Sequence, residues 1–217
     1  MPTLLLSPRQ TDSSQILWRE AIKQGWNVER IHSFHTITEE YYEPIPYGEP
    51  IFNQVVSERF NLTLPSPPED FLSNLPYDLR KRKVELTTAG EARKLSGPIF
   101  IKPPNNKLFA AKVFQNGKDL PEMPDEDPVL AQEVVEWESE YRMFFLNGKC
   151  MAVSNYMFQG NYTKETNYQG DDGERNDLVE WAHSFSFEMP SAVVIDVGII
   201  KSRGQAIIEA NEVCGSG

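Results

Sequence analysis

The end of the chain, residues 193–217, has the sequence VVIDVGIIKSRGQAIIEANEVCGSG. Two runs rich in β-branched residues flank a short polar segment that contains glycine, a pattern typical of a β-hairpin. We predict strands over 192–200 and 205–209, joined by a four-residue loop over 201–204. The length of this loop determines which residues of the two strands face each other.

The predicted register of this hairpin brings two carboxylates together. With 201–204 as the loop, Ile200 pairs with Gln205, and counting outward places Asp196 directly opposite Glu209. Side chains alternate between the two faces of a strand, so Asn211 lies on the same face as Glu209. Three oxygen-bearing side chains therefore converge on one side of the hairpin.

Such a cluster has the chemistry of a site for a divalent cation. Two carboxylates that face each other on a sheet repel, and the pairing is costly unless positive charge lies between them. Oxygen ligands suit Mg²⁺, with Mn²⁺ as an alternative, better than Zn²⁺, which favours nitrogen and sulfur. Mg²⁺ held by one or two carboxylates keeps coordination positions for nucleotide phosphates. The residues alone leave a second interpretation open, in which the carboxylates face water at the edge of a sheet.

The composition narrows the classes of partner. The 217-residue chain has 32 acidic and 21 basic residues and a formal net charge of -11. Binding to nucleic acid or to an anionic membrane gains affinity by neutralising phosphate, so we expect neither partner. Cys150 and Cys214 form no metal or redox spacing, and no stretch reaches the roughly 20 apolar residues of a membrane span. We therefore expect a cytoplasmic protein, and the oligomeric state stays open.

The N-terminal segment has the pattern of a strand, a helix and a second strand. Thr3–Leu6 is a short apolar run, Asp12 or Ser13 can cap a helix that continues to about Gln24, and Trp26–Ile31 is again extended. Two strands joined by a helix form a parallel crossover, so a small α/β lobe is predicted. The apolar face of the helix is predicted to contain Ile16, Ala21 and Ile22, with Trp18 near its edge.

Residues 44–79 contain many prolines, and we interpret them as a connector wrapped around this lobe. Within the connector, 51–60 is predicted as a helix and 71–75 as a helical turn. From residue 96 onward the pattern changes to strands, which predicts a larger, mostly antiparallel α+β body. The predicted elements of this body before the hairpin are strands over 98–102, 109–114, 129–135, 141–146 and 149–154 and a helix over 177–188.

Three stretches resemble motifs of the ATP-grasp superfamily. The terminal hairpin resembles the metal hairpin of that family, with an aspartate on one strand and Glu-x-Asn on the next. Residues 132–149, QEVVEWESEYRMFFLNGK, resemble its adenine-binding hinge and the acidic-x-Arg strand that follows. Residues 99–103, IFIKP, resemble the strand that carries a phosphate-binding lysine. The three stretches occur in the order that the family has.

A closer resemblance is to the ATP-grasp clade named for one conserved arginine and two lysines, whose members are predicted to be peptide or amine ligases. It rests on LPYDLRKRKVELTTAGEARKL (75–95), IFIKPPNNKLFAAKVF (99–114), EYRMFF (140–145) and the hairpin. It implies an α+β, ATP-grasp fold in which antiparallel sheets sandwich the nucleotide.

The resemblance also implies a division of the chain. Residues 1–79 would form a small N-terminal α/β lobe with its proline-rich connector, and residues 80–217 would form the ATP-grasp domain. The family continues beyond the position of Gly217 into a glycine-rich loop and a final helix. We therefore expect the domain to lack this usual C-terminal extension.

Several charged residues acquire roles from the resemblance. Lys102 ends a predicted buried strand and would bind phosphate, and Lys107 and Lys112 are candidates for the second phosphate lysine. Lys112 is favoured, because a strand fixes its position better than a loop would fix Lys107. Arg142 would reach the phosphates or an acyl-phosphate, to which its planar fork is suited. Arg82 would supply the arginine contact on the substrate side, although the neighbouring basic residues make this assignment ambiguous.

Contacts to the nucleotide and the metal follow from the same resemblance. Backbone groups of Glu133, Val134 and Val135 would bind the adenine edge, and Glu140 would bind the ribose hydroxyls. The alternative role for Glu140 and for Arg142 is an ordinary cross-strand ion pair. The implied Mg²⁺ ligands are Asp196, Glu209 and Asn211.

The implied activity is that of an ATP- and Mg²⁺-dependent carboxylate–amine ligase. Its substrates would be a small-molecule or peptide carboxylate and an amine, joined through an acyl-phosphate. This chemistry needs no dedicated nucleophile, which agrees with the lack of a Ser-His-Asp or Cys-His pattern in the sequence. Two alternatives are a nucleotide-binding protein without turnover that acts through a partner, and a kinase-like phosphotransferase.

Overall fold

The computed structural model describes residues 1–104, 108–158, 160–162 and 171–213, without the side chain of His35. The chain forms two compact units, one of Met1–Pro65 with Glu212 and Val213, the other of Ser66–Asn211. The helical turns within 66–79 contribute to the core of the second unit. Within the described residues, no helix is long and apolar enough to cross a membrane.

The first unit contains a three-stranded parallel sheet with the order β2-β1-β3. Its strands are β1 (Thr3–Leu6), β2 (Asn27–Arg30) and β3 (Pro44–Tyr47), and its helices are α1 (Asp12–Lys23) and α2 (Pro50–Phe60). A short 3-10 turn spans Phe34–Thr36. The predicted strand–helix–strand crossover and the helix within the connector are confirmed.

The strand β3 lies inside the proline-rich connector, where no strand was predicted. It is an edge strand, and it is paired in parallel with β1. Its two prolines, Pro44 and Pro46, alternate along the strand, so the nitrogens that cannot donate face away from β1. The backbone of β1 instead donates to carbonyls between and beyond them, with Ser7 N at 3.2 Å from Tyr47 O.

The predicted apolar face of α1 is confirmed at Ala21 and wrong at Ile16 and Ile22. Ser14 and Ala21 are its buried residues, whereas Ile16 and Ile22 are 58% and 57% exposed. Ser14 and Ala21 lie almost two helical turns apart, so they form a narrow stripe that leaves the isoleucines on the flanks. The helix also begins with Thr11 as its cap, whose hydroxyl accepts a hydrogen bond from Ser14 N at 3.1 Å.

The second unit is built from two antiparallel sheets. One sheet has the order β4-β7-β5-β6 and the other has the order β10-β9-β8-β11-β12. The strands are β4 (Val84–Thr88), β5 (Ile99–Lys102), β6 (Lys112–Phe114), β7 (Pro128–Gln132), β8 (Trp137–Leu146), β9 (Lys149–Phe158), β10 (Asn161–Tyr162), β11 (Ala192–Ile200) and β12 (Gly204–Asn211). The helices are α3 (Phe71–Asn74), α4 (Tyr77–Arg80), α5 (Ala89–Ala92) and α6 (Asp172–Ala182), with a 3-10 turn at Gly117–Asp119. The predicted α+β class is confirmed.

Several elements differ from the prediction, among them β7, which ends at Gln132 rather than at 135, and β8, which begins at Trp137 rather than at 141. The strand β4 precedes the region in which strands were predicted, and β6 begins at Lys112 rather than at 109. The helix α6 lies earlier than the predicted 177–188. It begins after Asp171 because this side chain accepts hydrogen bonds from the N–H groups of Gly173 and Glu174 at 2.8 and 3.1 Å.

The main core of the second unit combines apolar residues of both sheets with α3 and α6. On β11 the side chains of Ile195 and Val197 lie in this core and are fully buried. Because side chains alternate along a strand, Asp196 lies on the other face of β11. The alternation of β11 therefore separates a core face from a face that carries charge.

Candidate active site

The hairpin of β11 and β12 pairs Asp196 with Glu209, and this predicted pairing is confirmed. The predicted length of the loop is wrong. Ile200 pairs with Gly204, so three residues, 201–203, lie outside the ladder. Gly204 has a φ of 82°, the left-handed conformation that closes a short hairpin loop of this kind.

A β-bulge on β12 compensates for the shorter loop. Val197 pairs with Ile207 while Asp196 pairs with Glu209, which leaves Ile208 as the extra residue. Without the bulge, alternation would turn Glu209 toward the core face. The bulge therefore brings Glu209 onto the face of Asp196.

Asp196 forms a two-pronged ion pair with Arg142. The residues face each other on β11 and β8, and Arg142 Nε and Nη2 each donate to a different oxygen of Asp196 at 2.9 Å. Asp196 is only 3% exposed, so the pair is held in surroundings that screen charge poorly. A buried carboxylate of this kind needs a cationic partner.

Glu209 is paired with Lys102, which comes from the other sheet. Lys102 is the last residue of β5, and its ammonium contacts a carboxylate oxygen of Glu209. The side chains are 14% and 30% exposed, so this ion pair is partly accessible, unlike that of Asp196. The predicted position of Lys102 at the end of a strand is confirmed.

Asn211 joins the two carboxylates. Its Nδ2 donates to Asp196 Oδ2 at 3.2 Å and to Glu209 Oε1 at 3.1 Å. The three predicted ligand side chains therefore converge on one face. Positive charge or N–H donors from Lys102, Arg142 and Asn211 lie around both carboxylates, which offsets their mutual repulsion.

Burial and neighbouring charge shift the ionisation of the acidic residues in opposite directions. Burial raises the pKa of Glu209, but Lys102 and the Asn211 amide outweigh it and lower this pKa overall. Burial raises the pKa of Asp196 in spite of Arg142. Burial, followed by the charges of Asp196 and Glu209, raises the pKa of Glu140 to about 7. The charge of Glu140 therefore changes near neutrality.

The raised pKa of Glu140 predicts a pH-dependent cost to stability. The pKa of Glu140 in the folded state lies above the ordinary 4.5, so its carboxyl group binds more protons in the folded than in the unfolded state. The contribution of Glu140 to the free energy of unfolding therefore falls as the pH rises from about 4.5 to about 7. We expect Glu140→Gln to raise the free energy of unfolding by at most about 3 kcal/mol at pH 8 and to leave it nearly unchanged at about pH 4. Urea unfolding at both pH values measures this. Glu138→Gln, which changes an exposed carboxylate on the same strand, is the control, and an equal effect of both variants would contradict the assignment.

Arg82 is buried among backbone groups. It is 2% exposed, and its guanidinium donates to Gln132 Oε1 from Nε and Nη2, to Arg80 O and Ile207 O from Nη1, and to Ile208 O from Nη2. All five N–H groups of an arginine are thereby engaged. Burial lowers the pKa of Arg82 to about 10. This corrects the expectation of a substrate contact, because no N–H of Arg82 is left to donate to a substrate.

Lys112 lies on the wrong face for a partner of Lys102. Lys112 pairs with Ile101 on β5, and neighbouring residues of a strand face opposite sides, so Lys112 and Lys102 point to opposite sides of the sheet. Ile101 belongs to a separate apolar cluster with Phe114, and the exposed Lys112 ammonium lies 4.9 Å from the ring centre of Phe114. The preference for Lys112 as the second phosphate lysine is thus corrected. Lys107, the other candidate, lies outside the described residues.

Comparisons with known proteins identify the family of this chain. Residues 79–217 match the model of an ATP-grasp domain, family 2 of the clade named for one arginine and two lysines. The chain belongs to this family. No curated protein matches the sequence.

Solved structures share the ATP-grasp fold at low sequence identity. A RimK domain protein ATP-grasp from Sphaerobacter thermophilus is 12% identical with a TM-score of 0.58, over 100% of this chain and 92% of that one. An N5-carboxyaminoimidazole ribonucleotide synthetase from Thermotoga maritima is 16% identical with a TM-score of 0.59, over 97% and 68%. A D-alanine–D-alanine ligase from Bacillus anthracis, complexed with ATP, is 12% identical with a TM-score of 0.54, over 97% and 85%.

The segment between β7 and β8 of this ATP-grasp domain is fixed at its start. Glu133 N donates to Lys83 O at 2.9 Å, and the Glu133 carboxylate accepts from Arg203 Nη2 at 2.5 Å and from Lys83 N at 3.1 Å. The hydrogen bond from Arg203 is the main cause of a lowered pKa of Glu133. The predicted binding of adenine by the backbone of Glu133, Val134 and Val135 stays a prediction, but the N–H of Glu133 is already used.

One contact of Arg142 was not predicted. The ring centre of Tyr156 lies 4.6 Å from the guanidinium carbon of Arg142. Counting outward from the turn between β8 and β9 would pair Arg142 with Val153, whereas a register shift makes Ser154 its partner. A count from the sequence therefore assigns Tyr156 to the wrong face, and no residue pattern signals the shift.

Proposed function

We propose that this ATP-grasp domain is an ATP- and Mg²⁺-dependent carboxylate–amine ligase. The observation that supports it is the meeting of Lys102 from one sheet with Arg142, Asp196 and Glu209 from the other. Cations that can neutralise phosphate thus stand beside carboxylates that can hold a divalent metal, on one face. Such an arrangement suits phosphoryl transfer, where catalysis rests on positioning and charge neutralisation.

The donor set fits Mg²⁺. Asp196 and Glu209 offer carboxylate oxygens and Asn211 can offer its amide oxygen, and oxygen ligands are the preference of this ion. In the structure the amide nitrogen of Asn211 lies within hydrogen-bond distance of both carboxylates. A half-turn of this amide would direct its oxygen to the same place. When bound, Mg²⁺ would neutralise charge on the phosphates of ATP.

The proposed reaction proceeds in two steps. A carboxylate oxygen of the substrate attacks the γ-phosphorus of ATP, the bond to the β–γ bridging oxygen breaks, and ADP leaves. An amine then attacks the acyl carbon of the acyl-phosphate, inorganic phosphate leaves, and the amine nitrogen loses a proton. Lys102 and Arg142 would stabilise the charge on the transferred phosphoryl group, because both are cations near the carboxylates.

The proposal is tested by turnover of the full chain with Mg-ATP, a panel of amino acids and peptides, and a panel of amines. We expect ADP and phosphate to be released in equal amounts with an amide product, measured by a coupled assay and by mass spectrometry. Phosphorylated product without an amide would instead indicate a phosphotransferase. ATP binding without turnover across the panel would indicate a nucleotide-binding protein, and either result would overturn the ligase.

A further inference from the structure

The guanidinium of Arg82 binds both carbonyls of the β-bulge on β12. Its Nη1 donates to Ile207 O at 2.7 Å and its Nη2 donates to Ile208 O at 2.9 Å. Ile207 is the last residue in the register that begins at the hairpin loop, and Ile208 is the extra residue. We infer that Arg82 is a positioning residue of the metal site, which holds the bulge that turns Glu209 toward Asp196. This inference rests on the proposed function, in which Glu209 is a metal ligand.

A bulge interrupts the regular ladder and leaves backbone groups in need of other partners. Ile207 is fully buried, so water is a poor substitute for a partner at its carbonyl. Arg82 supplies donors to two successive carbonyls from one rigid planar group, which a lysine cannot do in the same geometry. The spacing of these carbonyls is therefore set by the guanidinium.

The guanidinium is itself anchored on the other sheet. Nε and Nη2 donate to Gln132 Oε1 at 3.1 and 3.0 Å, and Gln132 is the last residue of β7. The Arg82 guanidinium carbon also lies 5.1 Å from the ring centre of Trp137. Lys102, the partner of Glu209, belongs to the same sheet as Gln132. Arg82 therefore fixes β12 relative to the sheet that carries Lys102.

Deletion of Ile208 separates this role from direct ligand binding by Arg82. Without the extra residue, the ladder would continue regularly from Val197 and Ile207, and Glu209 would still be opposite Asp196. The guanidinium of Arg82 would then have no bulge to hold. A loss caused by Arg82→Lys should consequently be restored by deletion of Ile208 only if Arg82 acts through the bulge.

The experiment compares the full chain with Arg82→Lys, with the Ile208 deletion and with the combination of both. Affinity for Mn²⁺ in the presence of adenylyl-imidodiphosphate is measured by electron paramagnetic resonance, and amide exchange at Glu209 and Ala210 by nuclear magnetic resonance. We expect Arg82→Lys to weaken Mn²⁺ binding about 10- to 100-fold and to speed the exchange, as for other residues that orient a metal ligand. The double variant should return close to the wild type in both measurements.

The matched control is Arg93→Lys, which should bind Mn²⁺ with the affinity of the wild type. Arg93 Nη2 donates to Pro121 O at 3.0 Å and to Met123 O at 3.1 Å, so it also holds two backbone carbonyls but does not touch the bulge. Wild-type affinity in a folded Arg82→Lys, or a loss that the deletion does not restore, would overturn the inference. If Arg82→Lys fails to fold, folding of the double variant supports the inference and failure of both overturns it. Absence of saturable Mn²⁺ binding in the wild type would contradict the proposed function, while amide exchange would still decide the role of Arg82.

Discussion

Replacement of Asp196 by asparagine, or of Glu209 by glutamine, is expected to lower Mg²⁺-dependent ATP turnover at least about 100-fold, because metal-assisted charge stabilisation supplies several kcal/mol. Each change removes one negative charge from the predicted ligand set and keeps the size of the side chain. The measurement is the rate of ADP release over a titration of Mg²⁺, together with calorimetric binding of Mg-ATP. Lower affinity for Mg²⁺ should accompany the loss of rate.

Stability separates the two variants. Asp196 is almost fully buried and paired with Arg142, so Asp196→Asn leaves a poorly compensated cation and should cost up to about 3–5 kcal/mol of unfolding free energy. Glu209 is more exposed, so the free energy of unfolding of Glu209→Gln should be much closer to that of the wild type. Glu136→Gln is the control, because Glu136 is exposed and pairs with Lys201 on the surface. If the rate of ADP release depended on Mg²⁺ as in the wild type in both site variants, the assignment of the metal ligands would be contradicted.

The face of the hairpin could be predicted from the sequence because it depends on alternation between Asp196, Glu209 and Asn211. Counting from the predicted loop gave the correct pairing of Asp196 with Glu209, although the loop length was wrong and no bulge was predicted. The loop is one residue shorter than predicted, and the bulge at Ile208 adds that residue back. Oppositely directed errors therefore cancelled at Asp196 and Glu209.

The roles of the basic residues were harder to predict. Arg82 lies in a run of four basic residues whose pattern is that of a solvated surface, yet it is buried and engaged by backbone carbonyls. Its partners at Ile207 and Ile208 are far away in the sequence, and no local pattern indicates such contacts. Lys112 was preferred because a strand fixes its side chain, but the face of the sheet on which it lies depends on the register of β6 with β5, which cannot be counted through the preceding loop. Strand β3 was also not predicted, because prolines are compatible with a strand only at the edge of a sheet. The edge position of β3 is a property of the assembled sheet and cannot be read from the local sequence.

Lys102→Met is expected to weaken binding of Mg-ATP about 10- to 100-fold, the effect of losing a charge-assisted hydrogen bond of about 1.5–3 kcal/mol. Lys112→Met should stay within about twofold of the wild type, as expected for a surface change away from the site. The two lysines lie on the same pair of strands and on opposite faces, so the comparison isolates the face from the general effect of charge. Isothermal titration calorimetry at fixed ionic strength measures both affinities.

A third variant, Lys107→Met, decides which residue completes the pair of phosphate lysines. A loss comparable to that of Lys102→Met would assign this role to Lys107. A loss in Lys112→Met instead would contradict the argument from strand faces.

Loss of Lys102 also removes the cation that lowers the pKa of Glu209, so the affinity of Lys102→Met for Mg-ATP should fall further as the pH is lowered. A pH-independent deficit would show that Lys102 acts on the phosphates alone and not through the ionisation of Glu209.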